Sequence, residues 1–142
     1  MSTIAKIEDS MLAALRAALP GVEVDTLPGP PEEAVRRTLR TPTVWVVYGG
    51  GRFSADRALS GYVMQELRQT FYVLVVSKNL RGAKEGARGA YEIVEAVRGA
   101  LAGLCTPGGR VEIEAEGLQA AEGGLFVYTT TVSVVGSFRK KL

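Results

Sequence analysis

The chain has 142 residues, 46% of them hydrophobic and 23% charged, with 17 basic against 15 acidic side chains for a net charge of +2. That size and composition suit one globular domain with a real core and argue against wholesale disorder. The near balance of charge gives no electrostatic case for nucleic-acid binding. Histidine is absent and cysteine occurs once, at Cys105. This removes the commonest general base, the commonest metal ligand, any internal disulfide and any cysteine-built metal cage.

Ile4, Ile7, Met11, Leu12, Leu15 and Leu19 recur at helical spacing, with Ser2 or Thr3 as cap and Pro20-Gly21 as stop, so a helix is expected over 4–19. Val22 to Asp25 alternates as a short strand. A short helix is expected from Pro31 to about Leu39, because proline fits a first turn and Glu32 and Glu33 suit its positive end. Thr43 to Tyr48 is β-branched and aromatic throughout and predicts a strand. A long loop is expected over about 49–63. Met64 to Ser77 is the longest strand signal, alternating at first and then apolar.

A second long loop is expected over about 78–88, and a helix from about Ala87 to Leu104 with Ala90, Val94, Val97, Leu101 and Leu104 as its stripe. Val111 to Ala115 alternates as a strand, and simple alternation sets Glu112, Glu114 and Glu116 on one sheet face. The last strand is expected over Leu125 to about Val135. Phe126, Tyr128, Thr130, Val132 and Val134 lie on one side, and Leu125, Val127, Thr129, Thr131 and Ser133 on the other. "RKKL" reads as a basic tail. Strands follow one another twice without an intervening helix. The pattern therefore predicts an α+β domain: a mainly antiparallel, mixed sheet of about five strands with helices on one face.

The run "VVYGGGRFS", Val46 to Ser54, invites a phosphate-loop reading. It lacks the Lys-Ser/Thr pair and the following helix of a P-loop, and the spacing of a dinucleotide fingerprint. It reads instead as a strand releasing a loop. The glycine-rich basic run Leu80 to Gly89 before a helix is the better anion candidate, because a helix N-terminus attracts anions. It fits no nucleotide motif, so a small anion- or nucleotide-binding module stands as an alternative function. Cys105 has no histidine to activate it, and no nucleophile, base and oxyanion donor can be assembled. No enzyme activity, cofactor or metal is expected. No signal peptide and no apolar run of membrane-spanning length is expected either.

Three segments carry a resemblance in order and spacing: "GGGRF" at Gly49 to Phe53, "KNLRG" at Lys78 to Gly82, and "GAYEIVEAVRGALAG" at Gly89 to Gly103. The chain resembles, over nearly its whole length, the tail terminator or minor tail protein family of Mu-like contractile-tailed phages and prophages. The resemblance implies a structural, non-catalytic protein that acts as a homo-oligomeric, six-fold ring. The ring caps the head-proximal end of tail tube and sheath, stops their polymerisation and offers the head-connector protein a joining surface. It implies assembly in the host cytoplasm and a final place in the virion tail, with no membrane and no specific nucleic-acid partner. A tail connector or assembly adaptor on the same fold is the neighbouring alternative. Arg52, Phe53 and Arg57 in the first expected loop, and Lys78, Arg81, Lys84 and Arg88 in the second, are the candidate subunit or tube contacts.

Overall fold

The computed structural model describes residues 2–27, 42–57, 60–78, 83–122 and 125–142. The chain folds in the order α1 (Thr3–Ala18), β1 (Glu23–Thr26), β2 (Thr43–Phe53), β3 (Tyr62–Lys78), α2 (Ala83–Leu101), β4 (Cys105–Thr106), β5 (Gly109–Glu122) and β6 (Leu125–Lys141). The helix expected at Pro31 to Leu39 lies outside the described residues.

Helix α1 starts where Ser2 Oγ accepts the Ala5 N–H at 3.3 Å, and it buries Ile7, Met11, Leu12 and Leu15. Gly21, at φ +84, then turns the chain into β1. The six strands form one sheet in the order β1-β2-β3-β6-β5-β4, curled into a half-barrel. The β1–β2 pair is parallel and every other pair is antiparallel. This is the expected mixed α+β domain with a sixth strand, the two-residue β4, too short to leave a pattern in the sequence.

Register assigns every side chain to a face. Val44, Val46, Phe71, Val73, Val75, Val111, Val132 and Val134 share one face and pack with Ile7, Met11, Leu15, Val94, Val97 and Leu101 of the two helices. The helices therefore cover one face, as expected. On the other face a smaller cluster joins Trp45, Leu74, Val76 and Val127. The two sides predicted for the last strand are the two faces found.

Strand and helix bounds differ from expectation in four places, each with a local cause. First, Gly49 to Phe53 are not loop. They continue β2, with Gly50 opposite Thr70, Gly51 opposite Gln69, Arg52 opposite Arg68 and Phe53 opposite Leu67. A bulge between Tyr48 and Gly50 makes this possible, because Gly50 sits at φ +124, which a residue with a side chain rarely adopts.

Second, the expected second loop is cut short by α2, which begins at Ala83. Lys84 and Arg88 thus have helical backbone, despite the glycines nearby. Third, β5 runs on to Glu122 because the long β6 beside it supplies partners, past two bulges, as far as Leu125 opposite Glu122. Fourth, the basic tail is strand, with Arg139, Lys140 and Lys141 opposite Met64, Val63 and Tyr62.

Candidate functional site

The candidate contact residues fall into two groups. Arg52 and Phe53 close β2, and both are exposed. Phe53 packs edge-on against Phe138 of β6, ring centres 5.7 Å apart. The Arg57 N–H donates to the Met64 carbonyl at 2.9 Å, which holds residues 54–57 along the start of β3. These three residues share one end of the sheet. Lys78 closes β3 at the opposite end, opposite Leu125. Ten residues of β3 separate it from Arg68, Arg52's partner, a span of about 33 Å. Arg81 and the side chains of Lys84 and Arg88 lie outside the described residues. The structure thus brings Arg52, Phe53 and Arg57 together and sets Lys78 far from them.

The face opposite the helices carries a charged cluster that sequence reasoning missed. Arg68 Nη1 donates to Glu114 Oε1 at 2.6 Å and to Ser133 Oγ at 3.0 Å, and Ser133 Oγ donates to the same carboxylate oxygen at 2.6 Å. Glu112 lies 3.7 Å from the same guanidinium. The Ser133 hydrogen bond, with Arg68 beside it, holds the Glu114 carboxyl below the ordinary range. Arg52 stands directly opposite Arg68 across the β2–β3 ladder, so one like-charge pair crosses this face. Gly49 to Arg52, Arg68, Thr70, Tyr72, Glu114 and Thr131 line an open groove of about 660 Å³ here. A neighbouring hollow of about 480 Å³ runs past Tyr72, Leu74, Ala115, Leu118 and Thr131.

Glu116 is not with its two neighbours. A bulge between Ile113 and Ala115 shifts the register by one residue, so Glu112 and Glu114 face Arg68 while Glu116 turns to α2. There Arg98 Nη2 and Nε donate to its two carboxylate oxygens at 2.6 and 2.9 Å. The expectation of three carboxylates on one face is therefore corrected by an inserted residue that alternation cannot reveal. Close by, the Tyr91 ring meets Tyr128 edge-on, centres 6.0 Å apart. Tyr91 is half exposed, whereas Trp45 is core.

The Arg98 hydrogen bonds and charge hold the Glu116 carboxyl below its ordinary value of 4.5. A depressed carboxyl contributes stability above its unfolded value and loses it as pH falls through the folded value. Acidification below about pH 4.5 should therefore lower the melting temperature, and Glu116→Gln should make that acid limb shallower. At pH 7 the substitution should cost about 1 kcal/mol, since the Arg98 side chain is half exposed and keeps its own access to water. Thermal melts from pH 7 to pH 3 check this. Equal acid limbs in both proteins would contradict it.

Among the described residues no helix is long and apolar enough to cross a membrane. No group of three His, Cys, Asp or Glu side chains among them is placed to hold a metal ion.

No curated protein matches the chain. Among solved structures, a chain from the virion of a native gene transfer agent particle has the same fold. It matches at a TM-score of 0.57 and 16% identity, over 94% of this chain and 93% of that one. A family model described as Gp37 protein matches residues 11–138. With nearly the whole sheet, all of α2 and half of α1 inside that match, the chain belongs to the Gp37 protein family.

Proposed function

We propose that this protein is a structural component of a phage-like tail. In this reading it is the terminator, a six-fold ring on the head-proximal end of tube and sheath that stops their growth and offers the head connector a joining surface. The observation that carries the reading is the fold shared with a chain of a gene transfer agent virion across 94% of this chain. The order of the sequence signatures in Gly49 to Phe53, Lys78 to Gly82 and Gly89 to Gly103 supports the finer role.

Further copies of the chain, the tube and sheath proteins and the head connector are its partners. No cofactor, membrane or specific nucleic acid takes part, and the role is not catalytic. Assembly takes place in the host cytoplasm, and the protein then stays in the virion tail. The geometry agrees with a layer between two partners. Arg52, Phe53 and Arg57 at one end of the sheet, and Lys78 at the other, are about 30 Å apart along the strands. Each end can meet a different neighbour.

Electron microscopy of tails assembled without this protein tests the reading. Tails of uncontrolled length that carry no heads are expected. Tails of fixed length without heads would favour the connector or adaptor role on the same fold. Tails of fixed length joined to heads would overturn both.

A further inference from the structure

Two stretches of sheet edge have no partner strand among the described residues, and they differ. On one side β1 covers β2 only through Val46, and Leu27 donates to the Val46 carbonyl. Beyond that point no described residue pairs with the outer edge of β2, and Gly49, Gly51, Arg52 and Phe53 are exposed. On the other side β4 covers β5 only at Gly109 and Arg110, and Val111 bonds to Gly103 and Leu104. From Glu112 to Ala121 no described residue pairs with the outer edge of β5, and all but Ile113 are exposed. An open edge presents a row of unpaired N–H and C=O groups, a template for another strand.

We propose that these edges pair with each other between copies of this chain, the outer edge of β2 on one copy joining the outer edge of β5 on the next. The proposal rests on the ring reading above and names its subunit contact.

Strand direction permits the join. β2 is antiparallel to β3, β3 to β6, and β6 to β5, so β2 and β5 run in opposite senses. A copy rotated about an axis along the strands therefore brings an antiparallel β2 to β5, the more stable pairing. Such a contact is head-to-tail, the kind that forms a ring where its rotation closes.

Length permits it too. Gly50 to Phe53 is a run of unbroken register after the β2 bulge, and Ala115 to Leu118 is one between the two β5 bulges. Matching faces sets Arg52 opposite Ala115, so Gly50 to Arg52 meet Ala115 to Gly117 with Arg52 next to Glu114, and glycines in both runs leave room for a neighbouring backbone.

Charge favours this partner over a chance strand. Arg52 makes no ion pair among the described residues and meets Arg68 as a like charge. The β5 edge sets Glu112 and Glu114 against the single Arg68 guanidinium, leaving one negative charge in excess. All of these lie on the face opposite the helices, so a sheet continued from copy to copy puts Arg52 beside that excess. The join also shelters two exposed apolar residues, Phe53 at 52% and Leu118 at 56%.

The test uses two variants with one spoiled edge each: Arg52→Glu on β2, and Leu118→Lys, since an edge lysine blocks strand addition. Both positions are exposed, so each variant should melt within about 2 °C of wild type. Solution mass is measured up to about 1 mM, where weak contacts register. Wild type should form closed oligomers, and each variant alone should associate about tenfold or more weakly. An equimolar mixture should stop at dimers, because one good β2 edge then meets one good β5 edge.

Variants that associate as wild type does would overturn the edge contact while leaving the ring reading in place. A wild type that stays monomeric throughout would overturn the pairing as well. The tail-length experiment would then stand alone as the test of the virion role.

Discussion

Gly109→Ala is expected to lower the melting temperature by about 10 °C, a loss of about 3 kcal/mol. Gly109 opens β5 at φ +132, where a side chain is strained whatever space surrounds it. Here there is also no space. An added Cβ would run directly onto the Val135 carbonyl of β6, and backbone within a paired ladder cannot swing aside as a flexible side chain can. The two strands approach this closely at their junction because glycine stands on both. Gly136→Ala would press in the same way on the Gly108 carbonyl. Gly99 is the control. It sits exposed within α2 with nothing near its missing Cβ, so Gly99→Ala should stabilise by about 1 kcal/mol through helix propensity alone. Differential scanning calorimetry of the three variants beside wild type is the check. Gly109→Ala melting with wild type would mean that β5 does not start where it is placed.

Phe71→Ala should cost about 3–5 kcal/mol and lower the melting temperature by about 10–20 °C. Phe71 is fully buried at the centre of β3, opposite Tyr48 on one side and Val132 on the other. Its ring meets Tyr48 edge-on at 5.2 Å. Truncation removes that pair and leaves a hole between the sheet and the helices, walled by strands that cannot close over it. Phe71→Leu, which keeps most of the volume, should lose about 1–1.5 kcal/mol. A large gap between the two variants identifies a packed site. Equal losses would mean that the ring's aromatic contact matters more than the space it fills.

What could be read from the sequence follows from how each element is specified. Helix α1 was legible because its cap, stripe and Pro20-Gly21 stop all lie within its own residues. The two faces of β6 were legible because strict alternation survives where one face is buried. Glu116 was not, because a bulge is one residue of register that only the partner strand defines. Gly49 to Phe53 looked like loop because glycine is poor strand material, yet β3 runs past them and supplies the pairing. The same holds for Arg139 to Lys141, whose composition is that of a solvated tail.

The placement of the candidate residues was half legible. Arg52, Phe53 and Arg57 do share one end of the sheet, but their positions along a strand edge depend on strand order, which no local pattern contains. The Arg68–Glu114–Ser133 cluster joins residues from three strands and left no signal in any one of them.

The ladder between β3 and β6 is unbroken from Tyr62 opposite Lys141 to Lys78 opposite Leu125, while both flanking ladders contain bulges. Tension drawn along these two strands in opposite senses would load all their hydrogen bonds together in shear, instead of peeling them one after another. The bulged ladders, where the register is already interrupted, would slip first. The central pair is thus built as a tie rod, and a molecule loaded along that axis would yield at its edges before it parted in the middle.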